Sequence, residues 1–219
     1  MFDSKAAPAR RRGARSRALA SVAALAMCAA ISAPASADLI TNGSFESGLV
    51  GWTTSGGLGQ PDVISSPGWD PQDGNNLIDL NGFAPGFIAQ DVSTVVGQQY
   101  LLSFALSGNF SNSSDSKEVV VGIDGSDTAY FFAEPAGWAT TSMLWTIIQH
   151  AFVATDTTTT IAFTSASDGS DAGGHNSEGA ALDNIQLNAQ LAAVSEPGPL
   201  ALLGLGLVGV AVRRRHAGA

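Results

Sequence analysis

Tyr100-Leu101-Leu102-Ser103-Phe104-Ala105-Leu106-Ser107 is the stretch that decides the fold class. Side chains alternate across an extended backbone, so Tyr100, Leu102, Phe104 and Leu106 share one face and Leu101, Ser103 and Ala105 the other. One side is large and apolar and the other is mixed, which is the pattern of a half-buried strand. Outward from it, segments rich in Val, Ile, Thr and aromatic residues recur at 76–80, 86–92, 118–124, 128–133, 145–154, 157–165 and 182–187, separated by Gly, Pro, Asn, Asp and Ser. The β-branched run 157–160 reads as the start of a strand. Asp156-Thr157 reads as a short hairpin loop between Phe152-Val153 and Ile161-Ala162-Phe163. Between the two flanks no segment shows helical periodicity, and the spacing predicts roughly eight to ten short strands in a two-sheet β-sandwich. The stretches 107–116 and 165–177 are its long polar loops.

Both flanks carry addresses. Arg10, Arg11, Arg12, Arg15 and Arg17 precede an alanine-rich apolar stretch, 18–31, and Ala35-Ser36-Ala37 offers small residues to a signal peptidase. A signal peptide over 1–37 is expected, cut between Ala37 and Asp38. Met27 stands where lipid modification of Cys28 needs a small residue, so a lipoprotein is not expected. At the other end Ser195-Glu196-Pro197-Gly198 precedes the apolar run 200–212 and then Arg213, Arg214 and Arg215. A helix over that run is about 20 Å long, short of the roughly 30 Å hydrocarbon core, and the arginines hold its end in the cytoplasm. The domains expected are the leader, a sandwich over 38–188, a spacer over 189–194 and a membrane-directed tail over 195–219.

Without the flanks the charge balance changes sharply. Lys117 alone remains against seventeen acids, a net charge of −16 over 38–195. Such a surface repels nucleic acid and anionic lipid and suits neutral glycans or divalent cations. The only cysteine leaves with the leader, so the exported chain has no disulfide.

The order Glu196-Pro197, apolar run, arginine cluster resembles the PEP-CTERM sorting signal, with Ser195 where the first proline usually stands. That resemblance implies processing by an exosortase after transient anchoring in the inner membrane of a Gram-negative bacterium. The alternative is an ordinary single-pass tail anchor. The domain itself resembles the choice-of-anchor C family in the opening Leu39-Ile40-Thr41-Asn42-Gly43-Ser44-Phe45-Glu46, then Gly51-Trp52, Ile78-Asp79-Leu80-Asn81-Gly82, Pro85-Gly86-Phe87-Ile88-Ala89-Gln90 and the closing Ala181-Leu182-Asp183-Asn184-Ile185. This implies an all-β jelly roll of the galactose-binding type with opening and closing motifs side by side. A calcium ion often ties such ends, and Glu46, Asp183 and the carbonyl of Ser44 are its expected ligands. In the competing use Glu46 caps the first loop and Asp183 accepts backbone hydrogen bonds.

Sugars stack on aromatic rings, which makes Trp69 and Trp138, in Gly/Pro-flanked loops, and Tyr130 the candidate glycan contacts. Trp52 and Trp145 belong to the core. Catalysis is not expected, because His150 and His175 stand in no ligand spacing and beside no nucleophile motif. The function expected is non-enzymatic binding of neutral polysaccharide at the cell surface or in the extracellular matrix. A purely structural matrix protein and a sandwich-fold hydrolase are the alternatives.

Overall fold

The computed structural model describes residues 37–111, 115–167 and 177–190. The leader up to Ser36, the sorting segment 195–219 with its predicted transmembrane helix, and His175 lie outside the described residues. Among the described residues no helix is long and apolar enough to cross a membrane.

The strands run in order β1 Thr53–Thr54, β2 Asp62–Ser65, β3 Asn76–Asp79, β4 Phe87–Ser93, β5 Gln99–Gly108, β6 Lys117–Ile123, β7 Ser126–Phe132, β8 Thr146–Val153, β9 Thr158–Ser165 and β10 Ala180–Ala189. They form two five-stranded antiparallel sheets of a jelly-roll sandwich. The first has the order β1-β4-β9-β6-β7 and the second β2-β3-β10-β5-β8. The strand pattern expected from sequence is present, with two additions. β1 has two residues and β2 four, too short for alternation to register.

The alternation of β5 sets the interior. Tyr100, Leu102, Phe104 and Leu106 are all buried, and the Phe104 ring meets Phe163 of the first sheet edge-on at 5.1 Å. Lys117, Val119, Val121 and Ile123 of β6 are buried across from them. Each large apolar side chain so covered contributes about 1.5–3 kcal/mol. Lys117 is fully buried too, with its Nζ 5.3 Å from the centre of the Phe110 ring, a cation–π placement. Its aliphatic stem lies across Gly108, where an added Cβ would come within 2.6 Å of its Cγ.

Asp156-Thr157 is not a hairpin loop. β8 pairs with β5 in the second sheet, and β9 pairs with β4 and β6 in the first. The link instead arches between sheets beside the β4–β5 link. Thr94 N–H donates to Thr157 O at 2.9 Å, Gly97 N–H to Ala154 O at 2.8 Å, and Thr94 Oγ1 to Asp156 O at 2.8 Å. The two crossings satisfy each other's backbone groups, and both strands keep their apolar sides toward one interior.

Opening and closing motifs meet as expected. Leu39 N–H donates to Leu187 O at 2.9 Å, and Asp38 Oδ1 accepts from Leu187 N at 2.8 Å and Ile40 N at 3.0 Å. Gly43 lies so close to β10 that an added Cβ would stand 1.9 Å from Ile185 O. Asn42 (φ 56°) turns the next loop by donating from Nδ2 to Gly48 O and Val50 O, both at 2.9 Å. Trp52 is buried, as expected, and its Nε1–H bonds Asn42 O at 3.1 Å.

Candidate functional site

The outward face of the second sheet is divided in two. Its upper half is roofed by loops: Trp69, Trp138 and Trp145 pack over Leu77, Met143 and Ala181. Trp69 and Trp138 do come together, edge to face at 6.5 Å, and Trp138 leans its ring on Phe110 at 5.1 Å. Both are half-buried and form part of the roof. Trp145 is half-buried as well, its Nε1–H bonded to Asp70 O at 2.9 Å.

Tyr130 is a correction. It points between the sheets, not outward, because it shares the inward side of β7 with buried Phe132. Its ring meets Phe104 edge-on at 5.6 Å, and its hydroxyl lies 2.6 Å from His150 Nδ1. Burial raises its pKa above the usual phenol value.

The lower half is amide-lined, half-buried along β5 and β10 and exposed at Gln149 and Ala151. The ladders bring Gln186, Ser103 and Gln149 into one row and Asn188, Leu101 and Ala151 into the next. Between Asp183 and Gln186 the β10 register shifts, and Asn184 takes a left-handed φ of 47°. That bulge frees Ile185 N–H to bond Gly43 O at 3.0 Å and swings Asn184 toward the 72–76 loop. An amide relay results: Gln186 Nε2 donates to Asn184 Oδ1 at 2.5 Å, and Asn184 Nδ2 donates to Gln72 Oε1 at 2.7 Å.

Two carboxylates hold the same loop. Asp183 Oδ2 accepts from Gln72 N and Asp73 N at 2.7 and 2.8 Å, and its Oδ1 from Asn184 N at 2.7 Å. Glu46 Oε1 accepts from Asn75 N at 2.7 Å and Asn76 N at 2.8 Å. Those bonds lower the Glu46 pKa, whereas burial pushes Asp183 up to about 6 against the pull of its backbone donors. Of the expected calcium ligands, Glu46 and Asp183 therefore converge on one loop, as acceptors of five backbone N–H groups. Among the described residues no group of three or more His, Cys, Asp or Glu is placed to hold a metal. In this structure Glu46 and Asp183 act as a clamp on the 72–76 loop. Melting the domain with calcium and with EDTA is expected to give the same Tm within about 1 °C, against a gain of about 2.7 kcal/mol at a hundredfold excess over Kd for a bound ion. A clear downward shift in EDTA would restore the metal.

A third carboxylate lies deeper. Asp79 is fully buried and accepts from Asn81 N at 2.9 Å, Asn109 Nδ2 at 2.9 Å and Gly179 N at 3.1 Å. Burial outweighs these bonds and pushes its pKa up to about 7.

The amide row escaped the sequence reading, although Asn184-Ile185-Gln186-Leu187-Asn188 alternates polar and apolar residues. Aromatic residues were sought as sugar contacts, and the amides of this row were not considered.

Comparison with known proteins adds relatives. The PEP-CTERM protein-sorting motif matches residues 193–215, marking the chain as exported. Halomucin of Haloquadratum walsbyi is 28% identical over 172 residues, 68% of this chain, and the chain spans only 2% of that protein. Among solved structures, TmCBM61 in complex with β-1,4-galactotriose is 16% identical, with a TM-score of 0.49 over 71% of this chain and 100% of that one. The xylan-binding CBM22-1 domain of Paenibacillus barcinonensis Xyn10C is 18% identical, with a TM-score of 0.47 over 74% of this chain and 99% of that one. The family model that matches the sandwich, residues 37–188, carries the DUF642 name and not that of the choice-of-anchor C family. The chain belongs to the DUF642 family, whose description is a protein of unknown function.

Proposed function

We propose that the exported domain is a non-catalytic module that holds neutral polysaccharide on the lower outward face of its second sheet. The observation that carries this reading is the amide relay Gln186–Asn184–Gln72 beside Ser103 and Gln149. Amides and hydroxyls present both donors and acceptors, which is what sugar hydroxyls need. The outward positions of β10, β5 and β8 carry no exposed charge, although the domain has a net charge of −16. Lys117, the lone basic residue of the exported region, is fully buried, so the surface offers no cation to an acidic polymer. In this reading an exosortase removes the tail after transient anchoring in the inner membrane of a Gram-negative bacterium. The domain then works at the cell surface or in the extracellular matrix.

Affinity electrophoresis through neutral galactan, xylan, glucan and mannan tests it. Wild-type protein is expected to be retarded by at least one polymer. Combined Gln149→Ala and Gln186→Ala should weaken retardation about tenfold or more, each lost hydrogen bond costing about 1 kcal/mol. Pectate should give none. Failure of the wild type on every neutral polymer would leave the structural matrix role, and shortening of a polymer would replace binding by hydrolysis.

A further inference from the structure

The sandwich is open along one side, where edge strands β7 and β8 belong to different sheets. A cleft of about 170 Å³ lies there, lined by Asp124, Ser126, Thr128, His150, Phe152 and Thr155 among others. Nothing in the amide face described above contributes to it. Thr128 and His150 face inward, paired with buried Val121 and Leu102 respectively, yet both remain half-exposed because no further strand covers them.

The polar groups of this cleft are set for a ligand. The Tyr130 hydroxyl and His150 Nδ1 share a hydrogen bond at 2.6 Å, which holds the imidazole in place. The second ring nitrogen, Nε2, is a further polar group of the His150 side chain that lines the cleft. Asp124 Oδ1 accepts from Thr160 N at 2.9 Å, leaving its Oδ2 as an acceptor. The hydroxyls of Ser126, Thr128 and Thr155 can act either way. Phe152 supplies the apolar wall, held on its far side by stacking on Tyr100 at 5.7 Å and 22°.

We propose that this cleft is a second carbohydrate site, taking one neutral sugar unit such as the end of a chain. An imidazole nitrogen, a carboxylate acceptor, hydroxyls and one aromatic wall are the groups a pyranose ring engages. The volume falls below the roughly 300–1,000 Å³ of pockets for larger ligands, which limits the occupant to a single ring. A wholly apolar ligand would strand the hydroxyls and the imidazole nitrogen. An acidic sugar would meet Asp124 with no surface cation to offset it.

The test is NMR titration of the exported chain with galactose, glucose, mannose, xylose and galacturonate, following the His150 ring and Thr128 methyl signals. At least one neutral sugar is expected to shift both, saturating in the millimolar range typical of so small an interface. Galacturonate should shift neither. Thr128→Val and Ser126→Ala, which keep the fold's volume, should each weaken binding about tenfold. The Gln149→Ala, Gln186→Ala variant should bind the monosaccharide as wild type does, so failure of the amide face and failure of this cleft are separate results. Silence of both signals with every neutral sugar, equal response to galacturonate, or full affinity in Thr128→Val would each overturn the proposal.

Discussion

Gly43→Ala is expected to lower the melting temperature by roughly 10–15 °C. An added Cβ would stand 1.9 Å from the carbonyl oxygen of Ile185 and 2.9 Å from its carbon, and both are backbone atoms of a central strand that cannot yield. The opening segment would have to lift off β10, breaking Ile185 N–H to Gly43 O and loosening Phe45 and Ile40 from the core. Unburying those two side chains costs on the order of 3–5 kcal/mol, a large part of the roughly 5–15 kcal/mol that holds a domain. At this length 1 kcal/mol moves Tm by about 2–4 °C. Gly56→Ala is the control: nothing lies within 4 Å of its added Cβ, and it should melt within about 1 °C of wild type. A Gly43→Ala domain that melts with the control would show that the opening segment does not dock as described.

Stability is expected to rise as pH falls from 8 to 6. Asp79 has a folded pKa of about 7 and Asp183 of about 6, both raised by burial above the ordinary 3.8. The folded state therefore binds protons more tightly than the unfolded chain. The contribution of each group is fully present below its unfolded pKa and is lost as pH rises through 6 and 7. For Asp79 alone the difference amounts to something on the order of 4 kcal/mol. Glu46 acts in the opposite sense: its pKa is lowered, so its grip on Asn75 and Asn76 is lost as pH falls below the ordinary carboxylate range. A stability maximum near pH 5 follows. Differential scanning calorimetry between pH 3 and 9 measures it, and Asp79→Asn should flatten the segment between pH 8 and 6 whatever its absolute Tm. A wild-type profile that is level or rises toward pH 8 contradicts the assignment.

The sandwich was legible where one face is apolar and the other is not. Tyr100 to Leu106 announced itself because alternation over a long strand leaves no second arrangement. The Asp156-Thr157 link was misread because a short polar connection looks alike in a hairpin and in an arch; only the partners of β8 and β9, distant in sequence, separate them. The meeting of Gly43 with Ile185 was implied by motif order, but the use of Glu46 and Asp183 was not. A carboxylate beside a glycine-rich loop serves a cation or a row of N–H groups equally well on paper, and backbone direction decides. Tyr130 misled because Tyr130-Phe131-Phe132 gives no polar residue to set the phase, and the pairing Val119 with Tyr130 supplies it. Gln186 and Gln149 became neighbours only through β5, which lies between their strands.

Asp38 also imposes a schedule. Its carboxylate is spent on Leu187, a residue that leaves the ribosome about 150 positions later. Until Leu187 has been made, the front of the domain has nothing on β10 to be pinned to, so the contact that joins its two ends waits for nearly the whole chain.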